Sequence, residues 1–385
     1  MATLEIEKIP SVLTGVDVLV RDDFALLRGA NIGLVTNHTG LTNTGTPTID
    51  ALHAAEGVTL KALFGPEHGI RGEVDESVAD GSDSRTGLPV YSLYGQRTAP
   101  ASEQLAGIDT LVFDVQDVGA RFYTYLSTLG HCLLAAAEHK LRFVVLDRPN
   151  PITGLGVEGP LADESRLSFT AFHPIPIRHG MTLGELAMLI AAERDLNVNL
   201  TVVKCEGWKR SDWWDATGLL WVNPSPNLRS LTAAILYPGV AIGEFTNISV
   251  GRGTDAPFEL FGAPFIDARA FAYVLNAKNL PGVRFVPTHF TPTASKFAGE
   301  VCGGVQIVVT DRGKIASVRT GLEMALALRA LYLEEWQASK YLTLLASRSA
   351  MDGLLADEEY PRLVKRWTAD LRAFSQLRSH FLLYE

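Results

Sequence analysis

Residues 110–147 read TLVFDVQDVGARFYTYLSTLGHCLLAAAEHKLRFVVLD. The runs 110–115 and 142–147 are apolar almost without interruption, as is typical of strands buried on both faces of a parallel sheet. Between them, apolar side chains recur at spacings of three and four, which predicts a helix with one buried face. They are Phe122, Leu126, Leu129, Leu133 and Ala136. The stretch therefore predicts a β-α-β unit with two parallel strands.

The same alternation extends in both directions along the chain. Further strand patterns occupy residues 31–37, 59–64, 88–93 and 199–204. Residues 47–56 have a helical pattern, and Thr182 with Glu185 has the spacing of a capping box at a helix start. Alternating strands and helices predict an α/β fold with a Rossmann-like, mostly parallel sheet.

The pattern changes near residue 245. A Gly-rich loop is followed by mixed strand patterns and by two long helical patterns, at residues 316–337 and 358–379. We therefore predict two domains: a Rossmann-like catalytic domain over residues 1–244, and a smaller α+β domain over residues 245–385 that completes the cleft.

The composition limits the classes of function. The chain has 385 residues, 47% of them apolar, and a formal net charge of −9, which leaves no basic balance for binding nucleic acid. Three separated cysteines give neither a disulfide framework nor a zinc pattern, and no phosphate-binding glycine loop is present. We expect no metal and no cofactor.

The start of the chain and its apolar runs bear on location. The first residues lack the basic and apolar segments of a signal peptide. No apolar run approaches the ~20 residues of a membrane span. As written, the sequence predicts a cytoplasmic protein; a secreted or periplasmic protein that had lost its leader would have the same sequence.

Polar residues follow four of the predicted strands. The segments after these strands are Asn37-His38, Glu67-His68, Asp114 to Arg121 and Asp147 to Asn150. Because ligands of open α/β sheets bind beyond the carboxyl ends of the strands, we expect these side chains to meet at one rim.

The segment Gly65-Pro66-Glu67-His68-Gly69-Ile70-Arg71-Gly72 brings a carboxylate, an imidazole and a guanidinium onto one turn. Glycoside hydrolysis uses two acids that flank the scissile bond, one protonated and one ionised. Glu67 is the candidate for the acid, and Asp114 or Asp117 for its partner. The structural alternatives are an ion pair of Glu67 with Arg71, and capping of the next helix by either aspartate.

His38 and His68 also permit a metal-dependent hydrolase with Asp117 as a further ligand. Their spacing matches neither an HxH nor an HExxH pattern, so hydrogen bonding or substrate orientation is the favoured interpretation of both histidines.

Sugar recognition is favoured by the loop Asn223-Pro224-Ser225-Pro226-Asn227. Its prolines fix the backbone, and its amides can both donate and accept hydrogen bonds. A purely structural turn is the alternative. Glu244 and Arg252 flank the predicted domain junction, a common location of small-molecule clefts.

Eight motifs occur in order along nearly the whole chain. They are residues 35–40 (VTNHTG), 65–72 (GPEHGIRG), 114–125 (DVQDVGARFYTY), 147–151 (DRPNP), 158–160 (EGP), 177–182 (IRHGMT), 223–227 (NPSPN) and 249–254 (SVGRGT). On these motifs the chain resembles the NamZ family of exo-β-N-acetylmuramidases, long catalogued as a bacterial domain of unknown function. Phe245 departs from the family pattern, since a small residue is expected there.

The resemblance implies an active site between a Rossmann-like domain and a smaller C-terminal domain. It implies that the protein releases N-acetylmuramic acid from the non-reducing end of peptidoglycan fragments, and that Glu67 is the catalytic carboxylate. The predicted substrate-binding residues are Asn37, His38, His68, Arg71, Arg121, Tyr123, Asn223, Asn227, Glu244 and Arg252.

N-acetylmuramic acid carries a lactyl carboxylate, which an acidic protein binds best through the bidentate fork of an arginine. Arg71, Arg121 and Arg252 are the candidates at the predicted rim. The 2-acetamido group of the sugar is an alternative nucleophile to the aspartates. A non-catalytic protein that binds cell-wall sugars and a metal-dependent hydrolase are the alternative functions.

Overall fold

The predicted strands of the first half assemble into one seven-stranded sheet. The computed structural model describes residues 12–70 and 80–385. The strands are β1 (Asn31–Thr36), β2 (Thr59–Gly65), β3 (Gly81–Ser82), β4 (Pro89–Ser92), β5 (Thr110–Asp114), β6 (Arg142–Leu146), β7 (Glu158–Leu161), β8 (Pro176–Arg178), β9 (Asn199–Val203), β10 (Leu260–Ala263), β11 (Val283–Phe290) and β12 (Cys302–Val309).

The order of the large sheet is β3-β4-β2-β1-β5-β6-β9. Every neighbouring pair is parallel except β3 and β4. Val35 of β1 is level with Phe64 of β2 and Phe113 of β5, so these strands end at the same edge. The predicted α/β fold with a mostly parallel, Rossmann-like sheet is confirmed.

Helices cover both faces of this sheet. The helices are α1 (Gly15–Arg21), α2 (Thr48–His53), α3 (Thr124–Glu138), α4 (Leu183–Glu193), α5 (Leu231–Val240), α6 (Ala268–Ala277), α7 (Ser317–Leu331), α8 (Leu342–Leu345), α9 (Arg348–Leu355), α10 (Tyr360–Leu363) and α11 (Thr368–Arg378). Alternate strand residues face opposite sides: Leu34 and Val112 pack with α1 and α2, whereas Val35 and Phe113 pack with α3 and α4. In the described part of the chain, no helix combines the length and apolar character needed to span a bilayer.

The smaller region has an antiparallel sheet of its own. Its order is β10-β12-β11, and α6 and α7 pack nearby, as the α+β pattern predicts. The segment after residue 174 also forms a strand, but β8 pairs with β7 in a separate two-stranded sheet. The capping box is present, with Glu185 N donating to Thr182 Oγ1 at 3.3 Å and Thr182 N donating to Glu185 Oε2 at 3.0 Å.

The two long C-terminal helices are shorter than predicted. The first ends at Leu331, because Tyr332 has φ −138°. The second is divided at Trp367, whose φ of −129° lies outside the helical range while its indole is buried in the core. Burial of one large ring therefore interrupts a continuous helical pattern.

Helices α5 and α7 approach closely enough to require glycine. A Cβ atom on Gly239 would lie 1.9 Å from the carbonyl oxygen of Ser317, and one on Gly321 would lie 2.2 Å from the carbonyl oxygen of Gly239. This contact fixes the end of α5, which leads directly into a 3₁₀ turn at Ala241–Phe245.

Candidate active site

The carboxyl ends of β1, β2, β5 and β6 meet at one edge of the large sheet. The turn after β2 carries Glu67 and His68. His68 and Gly69 both have left-handed backbone, with φ of 73° and 71°. Because that conformation is uncommon for a residue with a side chain, the turn defines the direction in which its side chains point.

A cavity of about 280 Å³ opens beside this turn. The volume is close to the lower limit of small-molecule sites, roughly 300 Å³, which suits one sugar unit better than a long chain. Six residues predicted from the sequence line the cavity: Glu67, His68, Tyr123, Asn227, Glu244 and Arg252. The first three follow strands of the large sheet, whereas Arg252 precedes β10 of the small sheet, so the cavity is lined from the sides of both sheets.

Glu67 is held at the start of α3. Thr124 Oγ1 donates a hydrogen bond of 2.6 Å to Glu67 Oε2. Thr124 is the first residue of the helix, and Tyr123 stands at the N-cap position without a side-chain cap. The hydroxyl of Thr124 orients the carboxyl group of Glu67 at the start of this helix. One oxygen of Glu67 is therefore fixed.

Another part of the cavity lining holds an ion pair. Arg252 Nε lies 2.8 Å from Glu244 Oε1, and the guanidinium carbon lies 5.8 Å from the ring centroid of Phe258. Lys296 Nζ donates a hydrogen bond to the backbone carbonyl oxygen of Glu244. Among the described residues, two cations accompany one carboxylate here, a local excess of positive charge in an acidic chain.

Three tyrosines pack together at the site, and two of them, Tyr123 and Tyr237, line the cavity. The ring of Tyr123 lies edge-on to those of Tyr125 and Tyr237, with centroids 4.7 Å and 5.8 Å apart. Burial raises the pKa of all three phenols, so they stay protonated at neutral pH. Tyr125 donates a hydrogen bond of 2.7 Å to the carbonyl oxygen of Pro224, which anchors the predicted sugar loop.

Asp114 lies outside the cavity lining and is fully buried in an ion pair. Arg148 donates from Nε to Oδ1 at 2.5 Å and from Nη2 to Oδ2 at 2.9 Å. The hydroxyl of Thr48 also donates to Oδ2. Both oxygens of Asp114 thus accept hydrogen bonds from protein donors. These bonds join the end of β5 to the segment after β6 and to the start of α2.

Asp117 is also buried and outside the lining. Its Oδ2 accepts a hydrogen bond of 2.7 Å from Gly119 N and lies 3.5 Å from His179 Nε2. Met181 N donates to His179 Nδ1, so a neutral His179 carries its proton on Nε2, toward Asp117. Burial first, and then the neighbouring phenols and the charge of Asp117, raise the pKa of Tyr123. Asp117 therefore lies near the tyrosines but outside the cavity lining.

Asn37, His38 and Asn223 connect loops at the rim. Asn37 Oδ1 accepts hydrogen bonds from the amide and hydroxyl of Thr39, at 2.9 Å and 2.6 Å. His38 Nε2 lies 2.8 Å from the carbonyl oxygen of Asn223, which can only accept. Burial lowers the pKa of His38, so the ring is neutral and donates through Nε2. These contacts tie the sugar loop to the end of β1.

The three predicted arginines differ in outcome: Arg252 lines the cavity, Arg121 does not, and Arg71 lies outside the described residues. Arg121 is fully buried and donates to the carbonyl oxygens of Pro160, Ile175, Leu344 and Leu345 at 2.8–3.0 Å. Its guanidinium joins the two regions internally. Arg71 lies outside the described residues, and so does the end of its motif.

The residues considered for a metal site do not form one. Among residues 12–70 and 80–385, no group of three or more His, Cys, Asp or Glu side chains is placed to hold a metal ion. His38 points its Nε2 at a carbonyl, and Asp117 is paired with Gly119 and His179. The metal-dependent alternative therefore has no ligand set in this part of the chain.

Other cavity residues were not predicted from the sequence. They are Tyr94, Phe122, Thr124, Thr170, Ser225, Tyr237, Phe245, Phe258 and Leu344. Thr124 and Ser225 lie inside two of the motifs that the sequence analysis describes, residues 114–125 and 223–227. Their membership of these motifs was the available sequence signal. Phe245, the unexpected bulky residue, lines the cavity with 48% of its surface exposed.

The fold and cavity define an α/β protein with two carboxylates and a cation around a sugar-sized space, a combination typical of glycosidases. The family model described as exo-beta-N-acetylmuramidase NamZ, N-terminal, matches residues 32–232, and its C-terminal counterpart matches residues 235–384. The chain belongs to the NamZ family of exo-β-N-acetylmuramidases, and the identification made from the eight motifs is confirmed.

Individual relatives agree over the whole length. The chain is 42% identical over 382 residues to the peptidoglycan beta-N-acetylmuramidase NamZ of Bacillus subtilis (strain 168), covering 98% of this chain and 92% of that protein. Two DUF1343 family proteins of Bacteroides fragilis NCTC 9343 have similar crystal structures, each covering 97% of this chain and 99% of theirs. Their TM-scores are 0.91 and 0.78, at 38% and 28% identity.

Proposed function

We propose that this chain hydrolyses peptidoglycan fragments and releases N-acetylmuramic acid from their non-reducing ends. The observation that carries the proposal is the presence of Glu67 and Arg252 in the lining of one small cavity. A carboxyl group serves the cleavage of a glycosidic bond, and a guanidinium serves the lactyl carboxylate that distinguishes this sugar. The name of the Bacillus subtilis relative supports the same substrate class.

The size of the cavity supports action at a chain end. A space of about 280 Å³ accommodates a terminal sugar, whereas an enzyme that cleaves within a chain needs an extended groove.

In the proposed reaction, Glu67 donates a proton to the glycosidic oxygen as the bond between that oxygen and C1 breaks. Water supplies the hydroxyl group that C1 gains. Thr124 is a positioning residue in this scheme, because its hydroxyl holds Oε2 of Glu67. Arg252, with Lys296 beside it, provides the positive charge for the lactyl group.

The test is hydrolysis of a chromogenic N-acetylmuraminide with a poor leaving group, which needs a proton to depart, by the wild type, by Glu67→Gln and by Glu300→Gln. Glu300 is an exposed carboxylate and serves as the matched control. We expect Glu67→Gln to lose activity by about 10²–10⁴-fold and Glu300→Gln to match the wild type. Circular dichroism checks that both variants fold.

Two outcomes would contradict the proposal. Full activity of Glu67→Gln would remove Glu67 from the reaction. Binding of muropeptides by the wild type without any product, followed by mass spectrometry, would indicate the sugar-binding alternative instead.

A further inference from the structure

Two carboxylates line the cavity among the described residues, and they come from different elements of the fold. Glu67 lies on the turn after β2, and Glu244 lies on the 3₁₀ turn after α5. We infer that Glu244 is the second catalytic carboxylate, the group that acts on the attacking water. The inference rests on the proposed hydrolysis and identifies the carboxylate that works together with Glu67.

The two aspartates expected from the sequence lie outside the cavity lining. Both oxygens of Asp114 accept hydrogen bonds from Arg148, inside a fully buried ion pair. Asp117 lies near the tyrosines, with Gly119 and His179 as neighbours. Neither side chain contributes to the cavity surface. A sugar in the cavity would touch Glu244 without any rearrangement of these buried pairs.

Glu244 and Glu67 have different neighbours: Glu244 contacts a guanidinium, whereas Glu67 contacts a hydroxyl. Hydrolysis needs such a difference, because one carboxyl group has to act as a base and the other as an acid. A guanidinium in contact with Oε1 favours the ionised carboxylate, which can accept a proton. Among the described residues, the side chain that donates a hydrogen bond to Glu67 is the neutral hydroxyl of Thr124. Pairs of carboxylates whose environments differ in this way divide into a base and an acid.

The turn that carries Glu244 is held from several sides. Lys296 donates to the carbonyl oxygen of Glu244, and Asn247 is fastened through Nδ2 to the carbonyl oxygen of Glu335 at 2.7 Å. Gln337 N donates back to Asn247 Oδ1 at 2.8 Å. The close α5–α7 contact fixes the helix before the turn. A catalytic group requires a support of this kind.

The reaction balances with these two groups. The bond between C1 and the glycosidic oxygen breaks, and that oxygen takes the proton of Glu67. A water oxygen forms a bond to C1, and Glu244 accepts the proton that this water loses. One water is consumed, and exchange with solvent returns the proton to Glu67 and removes it from Glu244.

The experiment compares Glu244→Gln, Glu67→Gln and the control Glu300→Gln on two aryl N-acetylmuraminides, one with a good leaving group and one with a poor leaving group. A general acid matters little for a good leaving group, so Glu67→Gln should recover much of its activity on that substrate. Glu244→Gln should lose about 10²–10⁴-fold on both substrates, because the attack on C1 is needed in either case.

A second variant, Glu244→Ala, tests whether Glu244 assists the attack on C1. Its result does not depend on how Glu244→Gln behaves. In Glu244→Ala, sodium azide should occupy the freed space, restore turnover and form the α-glycosyl azide, since azide needs no base. Glu67→Ala should give no α-azide. Near-UV circular dichroism on each variant reports whether the cavity region is packed as in the wild type.

The outcomes separate this inference from the proposed function. If the wild type does not hydrolyse either substrate, the proposed function fails. If the wild type is active and Glu67→Gln is impaired, but Glu244→Gln stays within tenfold of the wild type, only the assignment of Glu244 is overturned. A large loss in Glu244→Gln without an α-azide from Glu244→Ala also overturns it.

Discussion

The hydroxyl of Thr124 donates a 2.6 Å hydrogen bond to Oε2 of Glu67, across 57 residues of sequence. This bond joins the turn after β2 to the first residue of α3. The turn carries the carboxyl group and the helix supplies the donor, so neither element defines the direction of Glu67 alone.

Replacing Thr124 by valine keeps the shape of the side chain and removes the donor. A hydrogen bond to a charged group is worth about 1.5–3 kcal/mol, so we expect kcat to fall by roughly 10-fold to 100-fold. KM should change little, because the sugar does not depend on this hydroxyl for binding. Thr124→Ser should retain most of the activity, and equal losses in both variants would contradict the positioning role.

Replacing Asp114 by asparagine should affect stability more than chemistry. The substitution leaves Arg148 buried without its counter-charge, which costs about 3–5 kcal/mol. Urea unfolding should show this loss, while kcat measured at low temperature on the folded protein stays near that of the wild type. If the variant had normal stability and an abolished kcat, Asp114 would be a catalytic group and the structural role would be wrong.

Asp147 gives the fold a pH dependence. Burial raises its pKa from 3.8 to about 6, and Thr182, Gly184 and Tyr384 donate hydrogen bonds to it at 2.5–2.8 Å. The folded state therefore holds this proton more tightly than the unfolded chain does. Its stabilising contribution is complete below about pH 4 and is lost as the pH rises through about 6.

The comparison of wild type with Asp147→Asn measures this contribution. The gap between 3.8 and about 6 corresponds to about 3 kcal/mol at most. The difference in the free energy of unfolding between the two proteins should change by that order between pH 4 and pH 7, in favour of the variant at the higher pH. A difference that is constant with pH would contradict the prediction.

Gly321→Ala tests the contact between α5 and α7. The added Cβ would lie 2.2 Å from the carbonyl oxygen of Gly239, so the helices must separate, at a cost of about 1–3 kcal/mol. Because the Glu244 turn follows α5, kcat should fall as well. Gly81→Ala is the matched control, since a Cβ there meets nothing within 4 Å; an equal loss in both variants would rule out the contact as the cause.

The sequence predicts the sheet and the position of Glu67 well, because both depend on local pattern. An apolar run followed by a glycine turn defines where β2 ends, and the parallel sheet places that end beside β1 and β5. The burial of Asp114 in an ion pair could not be predicted from local pattern. It depends on Arg148, which follows a different strand and points into the same buried space.

The walls of the cavity depend on tertiary packing. Tyr237 and Phe258 have the pattern of core residues, and their edge-to-face contact at 4.8 Å would be expected in any core. They border an open space because α5 and the loop after Gly251 approach the strand ends from the other region. The sequence pattern of neither segment predicts this tertiary contact.

Arg121 has a consequence for how a ligand enters. Its buried guanidinium is bonded to backbone oxygens on both sides of the cleft, at Pro160 and Ile175 on one side and at Leu344 and Leu345 on the other. Three residues later in the chain stands Thr124. A clamshell movement of the two regions would break these bonds, so we expect the sugar to enter a preformed chamber through its mouth, with no change in the radius of gyration when a ligand binds.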